Sequence, residues 1–121
     1  MNAKTLSLAA VLALLPASMA MPAFAHTKVT KSSIENESTL ATAPDKFSFT
    51  LDSEATLASI GLIDAKGKDV ALHYTPPKTP ALQFDVPLPH LGNGFYMLTF
   101  KTLARDGHVM NSMVHFTIKA A

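Results

Sequence analysis

The chain has 121 residues, with 10 Lys and Arg against 9 Asp and Glu, five histidines and no cysteine. So even a balance sets up no field that would draw in nucleic acid or an anionic membrane surface. Without thiols there are no disulfides and no thiolate ligands, so a soft-metal site has to use His, Met or carboxylate.

The first 25 residues read as an export signal. Lys4 supplies the positive end, residues 6–15 are mostly apolar, and residues 16–25 are small and flexible, closing on Ala23-Phe24-Ala25. The apolar run falls short of the about 20 residues that span a bilayer. Ser18-Met19-Ala20 offers a second cut a few residues upstream. Cleavage after Ala25 leaves residues 26–121, enough for one domain with one core, and makes His26 the mature N-terminus. There the free amine and the imidazole can hold one metal ion together. The amine's ordinary pKa of about 7.7–8.0 lets a strongly competing metal displace its proton at neutral pH.

Along the rest of the chain the apolar period is two and breakers come at short intervals, which predicts an all-β domain. Strands are expected over 28–32, over 46–51, where Phe47, Phe49 and Leu51 alternate with polar residues, and over 56–63. A turn at Asp64-Ala65-Lys66-Gly67 leads to a short strand over 69–72, a Pro-rich connection over 74–80 and a strand over 81–86. Pro87, Pro89 and Gly92-Asn93-Gly94 break the chain before the longest expected strand, 95–103, and a turn around Arg105-Asp106-Gly107 returns it to a last strand, 111–119. Seven short strands predict a Greek-key β-sandwich of the immunoglobulin type.

Asp106-Gly107-His108 puts a carboxylate and an imidazole two residues apart, around a glycine that permits a positive φ. Alone this is an ordinary hairpin turn beside a solvated histidine. Added to the amine and imidazole of His26 it completes a set of three nitrogens and one oxygen, which suits tetragonal copper(II) better than tetrahedral zinc.

With these residues the chain resembles the CopC-like periplasmic copper-binding proteins. The likeness runs through His26, Ser33, Ala43-Pro44 before the strand Phe47-Ser48-Phe49-Thr50-Leu51, and Gly67. It continues through Leu88-Pro89-His90-Leu91, Gly94-Phe95-Tyr96, Asp106-Gly107-His108 and Phe116. The resemblance implies an immunoglobulin-like sandwich in the periplasm that holds copper(II) on His26, Asp106 and His108, with an inner-membrane CopD-type partner. Phe100 stands where such proteins usually have Trp, Ala104 for Ser, Val109 for Pro and Ser112 for Gly, none of them a proposed ligand. The methionine-rich loop that some members use for copper(I) has no counterpart between Asp64 and Asp85.

Met97, Met113 and His115 fall on strand faces opposite the expected core positions. Methionines in such places usually pack adaptably, while a cluster of thioether and imidazole would suit copper(I); His115 beside the copper(II) site is another reading. His73 and His90 adjoin Pro-rich connections and read as surface residues, and Met110 as a cover for the site. The function expected is a copper(II) carrier or buffer of copper homeostasis or resistance, not an enzyme. Two alternatives remain: a small copper-dependent oxygenase-like enzyme, which would need open the position that Asp106 fills, and a metal-free sandwich module, which leaves His26 and the loop unexplained.

Overall fold

The computed structural model describes residues 28–121, and among them there are strands, turns and irregular loops but no helix. Six strands form: β1 (Val29–Ser32), β2 (Ser38–Leu40), β3 (Lys46–Asp64), β4 (Ala81–Pro87), β5 (Gly94–Ala104) and β6 (Val109–Ile118). No helix among the described residues is long and apolar enough to cross a membrane. Hydrogen bonding sets the strands side by side in the order β1-β3-β5-β6-β2, with β4 also pairing β3. All pairings are antiparallel except β2 with β6, which is parallel.

β3 makes the sandwich by belonging to both layers. Its first part, from Lys46 to Thr50, lies between β1 and β4 (Phe49 faces Ser32 and Phe84), and its second part, from Ala55 to Asp64, pairs with β5. The expected strands over 46–51 and 56–63 are therefore one strand. The polar Asp52-Ser53-Glu54 between them looks like a turn in sequence but is a bend at which β3 changes partners. A bulge between Leu57 and Ser59 then switches the inward positions from odd (Phe47, Phe49, Leu51, Ala55, Leu57) to even (Leu62), because one extra residue inverts a period-two pattern.

Two further expectations are corrected. Residues 69–72 form no strand: Val70 donates to the Leu62 carbonyl at 2.8 Å and Asp69 makes one isolated bridge with Ile63. β2 is an addition, only three residues long and held by its parallel ladder with β6 from Ser38↔Phe116 to Leu40↔Ile118. The β-sandwich class itself stands.

Inward residues of both layers meet in an aromatic core. The Phe49 ring lies 4.5 Å from that of Phe100 on β5 and 5.2 Å from that of Phe84 on β4, both stacked; Phe47 is fully buried against Phe49 and Phe100, and Phe116 is fully buried and stacked on Tyr96. Phe100 thus fills the centre. At the start of β5 the Tyr96 hydroxyl donates to the Gly92 carbonyl at 3.0 Å, a tyrosine corner of the kind seen in immunoglobulin-like domains.

Candidate metal centre

The β5–β6 hairpin places Asp106 and His108 at its tip. Ala104 accepts the Gly107 N–H at 3.0 Å and gives its own N–H to the His108 carbonyl at 2.8 Å. To close that tight loop residue 107 takes φ +92°, where a side chain is strained, so glycine belongs there. The Asp64-Ala65-Lys66-Gly67-Lys68 turn repeats the pattern, with the Gly67 N–H on the Asp64 carbonyl and φ +76° at Gly67.

Within the loop both oxygens of Asp106 are directed at His108. Oδ1 accepts the His108 backbone N–H at 3.0 Å, and Oδ2 lies 2.7 Å from the imidazole Nδ1. These contacts, the backbone N–H first and the imidazole second, hold the Asp106 carboxyl below the usual aspartate range. Both side chains remain more than half or about half open to solvent, 62% for His108 and 50% for Asp106. The pair is a donor set on the rim of the fold.

The expected third ligand, His26, lies outside the described residues. The chain that leads to it is nonetheless anchored on this side of the fold. Lys28 donates its N–H to Asp52 Oδ1 at 2.8 Å and accepts the Asp52 N–H at 2.9 Å, and Asp52 sits in the bend of β3. Two residues on, Glu54 pairs with Arg105 at 2.7 Å, next to Asp106. Sequence reading missed this Glu54–Arg105 link, because a single Glu and a single Arg half a chain apart carry no pattern.

Among the described residues no three His, Cys, Asp or Glu side chains converge, so Asp106 and His108 stand as a pair. His73 and His90 are exposed, as expected, and His73 has φ +50°. Met110 is half-buried and packs on the core. His115 is not beside the loop: it lies on β6 directly opposite Met97 of β5, with Nε2 3.0 Å from the Met97 sulfur.

The sequence matches the CopC domain family over residues 29–119. No curated protein matches it significantly. Among solved structures the fold is similar to that of CopC from Methylosinus trichosporium OB3b, with a TM-score of 0.66 and 22% identity over 78% of this chain and 95% of that one. It is also similar to PcoC, a methionine-rich copper resistance protein from Escherichia coli, with a TM-score of 0.61 and 22% identity over 78% of this chain and all of that one. At such identity these structures support the fold.

Proposed function

The chain belongs to the CopC family, and from that membership we propose that it is a copper-resistance protein of the periplasm that carries copper(II) on His26, Asp106 and His108. Residues 1–25 are its export signal, and cleavage after Ala25 creates the metal-binding terminus.

The observation that carries this reading is the spacing of Asp106 and His108. Two donors with bonds of about 2.0 Å to one ion, meeting at the right angle of a tetragonal site, lie about 2.8 Å apart. Nδ1 and Oδ2 stand at 2.7 Å already, so copper(II) can replace the proton between them with little movement. The Asp106 carboxylate, ionised through the whole neutral range, offsets part of the ion's charge. His26 is two residues from the anchored Lys28, which at about 3.3 Å per extended residue gives it a reach of about 7 Å. Its amine and imidazole would fill the remaining positions.

An exposed site on a loop suits a carrier, which must release its ion to an acceptor by exchanging ligands one at a time. A membrane protein of the CopD type is the acceptor proposed.

The test is copper(II) titration against a competing chelator, with mass spectrometry of the exported protein to fix its terminus and stoichiometry. Protein beginning at His26 should bind one copper(II) tightly. A variant retaining Ala25 moves the free amine off His26 and should lose most of that affinity. Equal affinity in the two forms would refute the terminal chelate.

A further inference from the structure

We propose that the outer face of the β5–β6 hairpin carries a second metal site, for a soft monovalent cation of the copper(I) or silver(I) class, built on Met97 and His115 with Met113 as third donor. It shares no residue with the copper(II) site and does not depend on it.

The site begins with register. Met97 and His115 are direct partners across the β5–β6 ladder, and Met113 faces Thr99 one step along. All three side chains project from the face opposite Leu98, Val114 and Phe116, because neighbours at i and i+2 share a face. His115 Nε2 lies 3.0 Å from Met97 Sδ. A thioether is a feeble hydrogen-bond acceptor, so this contact gains little as a hydrogen bond. It does set one soft sulfur beside one imidazole nitrogen, the donors that select copper(I) over harder ions. Bonds of about 2.0 Å to nitrogen and about 2.3 Å to sulfur place two donors on one ion about 3.5–3.8 Å apart at tetrahedral to trigonal angles. A small torsional change in the flexible methionine opens 3.0 Å to that span, and binding releases any hydrogen held between the donors.

The surroundings favour a built site. His115 sits on an inner strand with its backbone fixed on the β2 side, its N–H on Asn36 Oδ1 at 2.8 Å and its carbonyl accepting the Glu37 N–H at 2.6 Å. The Phe95 ring lies 5.6 Å from the imidazole and shields one side of it. Met97 and His115 are half-buried, which keeps out some competing water, while Met113 is 53% exposed and able to swing onto an arriving ion. A surface depression of about 490 Å³, lined by Thr99, Lys101, Asn111 and Met113, opens at the third donor.

The test uses silver(I), which does not change oxidation state in air, followed by copper(I) under oxygen-free conditions. In ¹H–¹³C spectra silver(I) should shift the Met97 and Met113 methyl signals and the His115 ring signals, and leave Met110 unmoved. In competition with a copper(I) chelator, Met97→Leu should weaken binding at least about tenfold, since the swap nearly conserves volume and leaves the strand intact, and Met113→Leu should weaken it less. Copper(II) affinity should be unchanged in both variants. Unmoved Met97 and His115 signals at saturating silver(I), or unaltered copper(I) affinity in Met97→Leu, would overturn the site. Loss of copper(II) binding in His108→Ala with copper(I) binding retained would support two independent sites, and joint loss in that variant would overturn their independence.

Discussion

At the scale of single residues, what matters is the tie between Asp106 and His108. Deleting the imidazole in His108→Ala removes a proposed ligand, and the expected cost is more than about 100-fold in copper(II) affinity, above what loss of a supporting contact usually brings. His73→Ala and His90→Ala should leave affinity within about threefold, since both side chains are exposed and distant in sequence from the loop. Chelator competition measures all three, and a His90 variant as weak as the His108 variant would relocate the site. The carboxylate gives a second prediction. The first cause of its lowered pKa is the backbone N–H of residue 108, with the imidazole second. In metal-free protein the Asp106 side-chain carbon should therefore titrate below the ordinary value of about 3.9. Most of that shift should survive in His108→Ala, which keeps the N–H. A folded pKa below the unfolded one stabilises above the ordinary aspartate value, and the stabilisation disappears as pH falls through the folded pKa. The contribution is thus complete at neutral pH and lost only in strong acid. A midpoint restored to the ordinary value in His108→Ala would make the imidazole the dominant cause.

At the scale of elements, the hairpin tip depends on Gly107. At φ +92° a Cβ is strained even though nothing crowds it within 4 Å. Gly107→Ala should therefore cost about 1–3 kcal/mol in urea unfolding and also weaken copper(II) binding by misdirecting His108. An unchanged unfolding midpoint would mean that the loop relaxes freely. This turn was legible in sequence, as were β4, β5 and β6, because glycine and strict alternation are local signals. The continuity of β3 was not. Asp52 and Glu54 look like turn residues, yet they serve long-range partners, Lys28 and Arg105, and a partner that far away leaves no local pattern. β2 was missed for the same reason, since three residues with a single apolar Leu40 become a strand only when β6 supplies the ladder. The outward placement of Met97, Met113 and His115 followed from the period of two, whereas the meeting of Met97 with His115 needed the register.

At the scale of the whole molecule, the two layers are joined covalently through β3 and sterically through Phe49, whose ring contacts Phe47, Phe84 and Phe100. With only 1% of its surface exposed, Phe49→Ala should cost about 3–5 kcal/mol, and a single cooperative transition should persist at a lower midpoint. Calorimetry would show it, and separate transitions for the two layers would contradict a shared core.

The parallel seam between β2 and β6 also sets the order in which the molecule can be completed. Asn36 and His115, bonded beside that seam, stand 79 positions apart, and closing a loop of that length costs about 4 kcal/mol of chain entropy before any contact is made. A hairpin such as β5–β6 closes far sooner. In refolding followed by pulsed hydrogen exchange, amides of residues 38–40 should gain protection after those of β5 and β6. A chain that appears N-terminus first must therefore hold its opening segment in waiting until the last strand has arrived.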